Sequence, residues 1–393
     1  MNKVIVAGVS MIKFSKPGQQ QPFRIMAAQA IQGALADAGL EPKAIQQAYG
    51  SYIYGDSTCG QHALYDAFMT GIPFINVNNN CSSGSTAIFL ARQAVASGAV
   101  DCVLAFGFEE MQKGALGSHW QDRESPFDIF HTKLDQMGYP EGPIALRAFG
   151  AAGHDYLCTY DADPSLYAKV AVKTRTHALN NSFALLNTPL TEADVLDSPI
   201  VYMNYLTRFM CCPPTCGAAA TVICSEAFAK KHGIDASVAI TGQAMTTDTP
   251  SSWDNARNLV GADMTQRAAD QVYQQTGVNP LDIDVVELHD CFVPNEVISY
   301  EGLRLCPAGG ATEFVENKDN TYGGQTVVNP SGGLMSKGHP VGATGLAQCF
   351  ELTQQLRGNA GARQVQDAKI GLQHNLGLGG AAVVTLYQKQ KRS

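Results

Sequence analysis

Four short stretches of this chain carry residue types that can do chemistry. The first centres on Cys81, which follows the strand-like run PFINVNN and precedes SSGSTAIFLARQAV. That order places the thiol at a strand-to-helix turn. A helix N-terminus offers unpaired N–H groups and a positive dipole end, which stabilise a thiolate and lower its pKa. The small residues Ser82, Ser83, Gly84 and Ser85 leave room for a substrate above the sulfur. A buried structural cysteine is the plain alternative. The second stretch is HDCF, His289 to Phe292, at the end of the apolar run IDVVEL. Strand C-termini in α/β folds point into ligand crevices. At a spacing of two, Glu287, His289 and Cys291 would share one face of a strand. A hydrogen-bonded strand-end histidine is the alternative there.

The third stretch, SGGLMSKGHPVGATG from Ser331 to Gly345, holds five glycines around His339 and reads as a tight irregular loop entering a helix near Gly342. Pro340 keeps the backbone of His339 out of the helical region. The Gly-Lys-[Ser/Thr] ending of a Walker phosphate loop is missing. The fourth, QHNLGLGGAAVV, has His374 before a glycine turn and then a final strand. A dinucleotide fingerprint must open a helix instead, so a nicotinamide site is a poor reading. Together, one cysteine in the first half and three histidine-bearing segments in the second supply the parts that acyl transfer needs. These are a thiol nucleophile and a base for it, donors for a carbonyl oxyanion, and a second acid/base for a carbanion.

The elements that must position these residues come in duplicate. AGLEPKAIQQAYG, from Ala38, and TGVNPLDIDVVEL, from Thr276, share Gly-x-x-Pro-x-x-Ile, and each follows an amphipathic helix. In the first helix Phe23, Met26, Ala27, Ala30, Ile31, Ala34, Leu35 and Ala38 mark one face. Gly39 and Gly277 stand where helix-ending glycines belong. Further on, GSTAIFLARQAVASG leads into DCVLAFGF, and GATGLAQCFELTQQLRG leads into KIGLQHNLG. Helices alternating with strands predict α/β layers with mostly parallel central strands, in two halves of pseudo-twofold symmetry. The expected boundaries are 1–235 and 236–393. A more polar insertion at about 113–205 is expected to cover the active site, GAAATVICSEAF to complete the first half, and SVAITGQAM to start the second.

A net charge of −8, with 16% charged and 45% hydrophobic residues, excludes a disordered chain and offers no basic footprint for nucleic acid. No apolar run is long enough for a membrane span, and the N-terminus is no signal peptide. The 11 cysteines are odd in number and scattered, which argues for reduced thiols rather than a disulfide framework. Cys211, Cys212 and Cys216 lack the paired spacing of a structural zinc site. Lys173, Arg175 and Arg208 read as solvated surface.

These stretches, with GDSTCGQ, DCVLAFGFEEM and DNTYGG in the expected order, resemble the thiolase superfamily over essentially the whole chain, most closely its sterol-carrier branch. The resemblance implies two duplicated βαβαβαββ halves in a five-layered α/β/α/β/α sandwich. It implies that Cys81 becomes acylated and that His339 activates it and helps bind the thioester oxygen. Cys291 is the implied acid/base, since His374 stands where ordinary thiolases carry the cysteine of a Cys-x-Gly motif. His289 replaces the asparagine of Asn-Glu-Ala-Phe and helps organise the first oxyanion hole. The backbone N–H of Cys81 and one from the 375–379 turn, Gly377 or Gly379, would form the second. The implied reaction is thiolytic cleavage of a 3-oxoacyl-CoA, or its reverse Claisen condensation, with coenzyme A as co-substrate, no resident cofactor and no metal. The expected protein is a homodimer or tetramer in a bacterial cytoplasm, because QKQKRS is not a Ser-Lys-Leu signal. No lipid-binding domain is expected after the last strand. Two rival readings stay open. One is a decarboxylating ketosynthase using Cys81, His339 and His374. The other is a non-catalytic lipid or acyl-CoA carrier or an aldolase-type partner subunit.

Overall fold

Alternate residues of the first strand, β1 (Val4–Met11), enter different cores. Val4, Val6 and Val9 pack with Ala87, Ile88, Leu346 and Leu352, whereas Ile5 and Ala7 pack with Met26, Ala27, Ala30 and Ile31. A strand projects successive side chains to opposite faces, so an unbroken apolar strand means a sheet covered on both sides. The fold described here is a computed structural model that covers residues 2–112, 117 and 120–390; Lys113, where the insertion was expected to begin, lies outside them.

After β1 come α1 (Phe23–Ala38), β2 (Gln47–Ser51), α2 (Cys59–Ala67), β3 (Phe74–Val77), α3 (Ser83–Ala96) and β4 (Cys102–Glu109). Next are α4 (Asp128–Gln136), α5 (Ile144–Tyr160), α6 (Ser165–Ala178), α7 (Glu192–Leu196) and a hairpin of β5 (Ile200–Tyr202) and β6 (Leu206–Thr207). Strand β7 (Gly217–Ser225) and α8 (Glu226–His232) follow. The chain continues with β8 (Val238–Thr246), α9 (Ala256–Leu259), α10 (Ala262–Thr276), β9 (Val285–Glu287), α11 (Val293–Gly302), α12 (Ala311–Glu316), β10 (Val327–Val328), α13 (Thr344–Arg357), β11 (Ile370–Gly377) and β12 (Ala381–Lys389).

The strand order is β10-β9-β11-β12-β8-β1-β7-β4-β2-β3, and it reads the same from either end. In both directions from the centre the pairings run antiparallel, antiparallel, parallel, parallel. The two five-strand sets are also joined, by a short antiparallel contact of Val4 with Ile240 and Ile5 with Ala239. Helices α3 and α13 share one core with the inner faces of both sets, and α1 and α10 cover the outer faces. This is the five-layered arrangement. Among the described residues no helix is long and apolar enough to cross a membrane.

The repeated phrase has matching conformations. Gly39 and Gly277 both cap a helix with left-handed backbone, φ 65° and 69°. Pro42 and Pro280 each open a 3₁₀ turn that ends at Ile45 or Ile283. In the middle layer the first turns of α3 and α13 touch. A Cβ on Gly84 would meet the Gly342 carbonyl oxygen at 3.0 Å, and one on Gly345 would collide with the Ser85 backbone. The segment from α4 to β6 is helical and contributes to the core. Helix α5 buries Ala148, Phe149, Ala151, Ala152 and Tyr156, so this segment is less polar in its packing than its composition implies.

Candidate active site

Cys81 lies two residues before α3, and Ser82 is the helix N-cap. The preceding Asn80 is held at φ 49°, a left-handed conformation that asparagine tolerates better than most residues. Its side chain spans the two halves: Nδ2 donates to Leu378 O at 2.9 Å, and Oδ1 lies 3.7 Å from Cys81 Sγ. Cys81 is 9% exposed. Burial pushes its thiol up to about 12 and the Glu109 carboxylate adds to that, while the backbone N–H groups of Cys81 and Leu378 pull the other way. The expected lowering by the helix end is therefore outweighed, because desolvation of a buried anion exceeds the gain from partial charges. The turn donor facing the sulfur is Leu378 rather than Gly377, which lies in β11, or Gly379.

His339 is reached by an unusual route. Gly332, Gly333 and Gly338 are all left-handed, at φ 90°, 55° and 119°. Residues Gly333–Lys337 form a π-helical turn, and the next α-helix starts at Thr344 rather than near Gly342. The HDCF segment anchors this loop: Asp290 accepts from Leu334 N at 2.7 Å, and Glu287 accepts from Ser331 Oγ at 2.7 Å and from buried Lys337 at 3.2 Å. The His339 ring places Nδ1 2.7 Å from Thr344 Oγ1, and its Nε2 is buried with no partner. Burial lowers its pKa to about 3, so the ring is neutral.

Strand β9 ends at Glu287, so His289 and Cys291 lie beyond it and the shared-strand-face expectation fails. The chain turns away to start α11, and Asn295 Nδ2 caps the His289 carbonyl. Glu287 points to Lys337 and Ser331, while the His289 ring stands edge-on to His339 with centroids 5.1 Å apart. Its Nδ1 lies 2.9 Å from Asn375 Nδ2, and its Nε2 is buried without a partner. Cys81 Sγ and one ring nitrogen each of His289 and His339 lie within 4.8 Å of one another, close enough for a soft metal ion to bridge; among the described residues this is the one such group.

Cys291 is 4% exposed, and burial, then the charges of Cys212, Cys81 and Asp290, hold its thiol well above the ordinary range. It is a protonated thiol beside the Cys81 thiol. His374 is not in this group. Its Nε2 lies 2.9 Å from Thr265 Oγ1, and its Nδ1 accepts from the His289 N–H at 3.5 Å. The Cys-His-His set is therefore Cys81, His289 and His339, which corrects the triad drawn for a ketosynthase.

The loop from Cys211 to Cys216 holds the site together. Cys211 bridges Phe292, Cys212 N donates to Cys291 O at 2.9 Å, and Pro214 bridges His339. Its three thiols do not gather as metal ligands; Cys211 and Cys216 face the carbonyls of Thr207 and Met111. Arg175 is buried and Lys173 half-buried, paired with Ser336 Oγ and with Glu296, so neither is solvated surface; Arg208 is exposed. Leu378 lies in the 375–379 turn expected to supply a donor, whereas the side chains of Asn80 and Asn375 and the backbone of Cys212 are site groups that the sequence did not mark. The one available signal was the run of three asparagines before Cys81.

Comparison with known proteins gives a consistent result. The profile for the thiolase N-terminal domain matches residues 4–184, and that for the thiolase C-terminal domain-like family matches residues 244–389. The chain is 49% identical to sterol carrier protein 2 of Oryctolagus cuniculus, over 98% of this chain and 72% of that one. It is 34% identical to an acetyl-CoA acetyltransferase of Methanothermobacter thermautotrophicus, over 99% of this chain and 100% of that one. Among solved structures, an Ltp2-ChsH2(DUF35) aldolase shares the fold, with a TM-score of 0.82 at 21% identity over 99% of this chain and 98% of that one.

Proposed function

The chain belongs to the thiolase family, and on that premise we propose that it is an acyltransferase that cleaves 3-oxoacyl-CoA with coenzyme A through a Cys81 acyl-enzyme. The observation that carries this reading is the closeness of the Cys81 sulfur to a ring nitrogen of His289 and of His339, two rings whose Nε2 atoms are buried and unpartnered, beside a second protonated thiol. His339 Nε2 takes the Cys81 proton as sulfur attacks the keto carbon. A neutral thiol beside a neutral imidazole can make that transfer at the moment of attack, without a standing ion pair. His289 and the backbone N–H groups of Cys81 and Leu378 offer donors for the oxyanions. The bond between the second and third carbons breaks, and Cys291 protonates the departing enolate of acetyl-CoA, or of propanoyl-CoA from a branched chain. Coenzyme A returns a proton to the Cys291 thiolate and attacks the acyl-enzyme carbonyl; the bond to the Cys81 sulfur breaks, and that sulfur takes its proton back from His339. Run backwards, the same steps form a carbon–carbon bond. A relative named acetyl-CoA acetyltransferase supports this chemistry.

We propose coenzyme A as a co-substrate rather than a bound cofactor, a homodimer or tetramer, two functional halves meeting near residue 235, and action in a cytoplasm on fatty-acyl thioesters in the manner of β-oxidation. Strand β3 ends the sheet and leaves Ile75 39% exposed, a surface suited to a second copy. The test is CoA-dependent cleavage across a panel of 3-oxoacyl-CoA lengths, with intact mass of the trapped enzyme. Acylation confined to Cys81 is expected; acylation elsewhere overturns the assignment. Two histidines on one cysteine also suit a decarboxylating ketosynthase, and turnover of a malonyl thioester without free coenzyme A would favour it.

A further inference from the structure

Two histidine rings face the Cys81 sulfur, and the hydrogen bonds on their far sides decide what each presents to it. At His339, Nδ1 lies 2.7 Å from Thr344 Oγ1, whose own hydroxyl donates to Pro340 O at 3.0 Å. With its one hydrogen spent on a carbonyl, Oγ1 accepts, so Nδ1 carries the proton and Nε2 keeps a lone pair.

His289 receives the opposite instruction through a longer chain. Gln373 Nε2 donates to the Gly345 carbonyl at 2.6 Å, which identifies that atom as nitrogen, and Gln373 Oε1 accepts from Tyr387 Oη at 2.5 Å. The second hydrogen of Nε2 goes to Ser85 Oγ at 2.8 Å. The Ser85 hydroxyl therefore turns its own hydrogen to Asn375 Oδ1 at 2.9 Å. That leaves the Asn375 amide nitrogen 2.9 Å from His289 Nδ1. An amide NH₂ only donates, so Nδ1 is bare and Nε2 bears the hydrogen. Rotating the Asn375 amide would turn its nitrogen to Ser85 and leave the Ser85 hydrogen without an acceptor. Tyr387, Gln373, Ser85 and Asn375 are all buried, so no solvent competes for these bonds.

We propose that Asn375 is a positioning residue that fixes His289 as a hydrogen-bond donor, so that of the two imidazoles on Cys81 one offers a lone pair and the other a proton. This rests on the acyl-transfer reading above, in which the His289 N–H binds the substrate carbonyl oxygen as negative charge develops. The same tautomer puts an N–H, not a lone pair, into the space between the three residues, which opposes their use as a metal site.

The direct test needs no variant. Long-range ¹H–¹⁵N correlation on histidine-labelled wild-type protein reads the tautomer of each ring, with His289 assigned by its loss in His289→Gln. His289 is expected protonated at Nε2 and bare at Nδ1. Asn375→Asp replaces the donor by an acceptor, so it should move the proton to Nδ1 and lower kcat by about 10²-fold, the effect of losing one oxyanion donor, with KM moving far less. Ser85→Ala cuts the chain one link earlier, with a smaller loss in the same direction, and serves if the aspartate variant does not fold. Normal thiolysis by a protein whose His289 is protonated at Nδ1 overturns the proposal alone. So does Asn375→Asp with a reversed tautomer and an unchanged kcat. Absence of any Cys81 acylation in the wild-type protein overturns the functional reading, and this proposal with it.

Discussion

The two halves are alike in topology and unlike in chemistry. In each, the chain leaves a parallel edge strand, β3 or β10, and runs through a corner into a helix of the middle layer. The first corner is short and carries Cys81. The second is long, contains the π-helical turn and carries His339. Duplication thus sets two strand-to-helix corners face to face, and divergence put the proposed nucleophile at one and its proposed base at the other. The second half also supplies His289 and Cys291 from the equivalent of the β2 exit, where the first half supplies only structural residues. Neither half holds a complete site.

The strongest way to break this comparison is to remove one corner at a time. Cys81→Ala is expected to abolish thiolysis and condensation, a fall on the order of 10⁶ in kcat, with no acyl adduct by intact mass. His339→Ala should cost about 10³-fold in the acylation rate, read by single-turnover kinetics. Cys291→Ala separates the roles. It should slow 3-oxoacyl-CoA cleavage by about 10³-fold while Cys81 still exchanges acyl groups with a simple acyl-CoA, which has no enolate to protonate. Equal loss in both assays would remove Cys291 from the proton step.

A pH series sharpens the contrast between corners. Cys81 sits near 12 and His339 near 3, so neither gives the acylation rate an inflection between about pH 5 and about pH 9; an inflection near 7 would belong to Glu109, whose carboxyl burial raises to about 7. Stability should not be flat. His289, His339 and His374 all have folded pKa values below the unfolded value, so the unfolded chain binds more protons at mildly acidic pH. Their contribution is present above about pH 6.5 and is lost as pH falls toward 3, which differential scanning fluorimetry would show as a falling Tm. The smallest expected effect is at the seam. Gly345→Ala should destabilise by about 1–3 kcal/mol through overpacking against Ser85, measured by urea unfolding.

Much of the scaffold was legible in the residues. The phrase Gly-x-x-Pro-x-x-Ile marks turns that recur with the same backbone, because glycine and proline act locally. The corner at Cys81 was legible for the same reason. What was not legible depends on partners distant in sequence. The Ser85–Asn375 bond that orients one histidine spans 290 positions, and no spacing rule reaches that far. The extent of β9 was misjudged because Asp290 anchors the glycine loop rather than extending the strand. The thiol pKa was misjudged because burial, a tertiary property, outweighs a helix end. The pairing of Lys173 and Arg175 was not legible because their acceptors, Glu296 and Ser336, come from the other half.

The contact between Gly84 and Gly345 has a further meaning. Cys81 lies three residues ahead of one glycine and His339 six ahead of the other, each on a chain that leads straight into the touching turns. The gap between the Cys81 and His339 side chains is therefore gauged in part by the thickness of two bare backbones pressed together, as the jaws of a caliper are set by what lies between them. A single methyl group at either glycine would open it, although neither residue meets a substrate. The pair does no chemistry, yet it bears on where the chemistry sits.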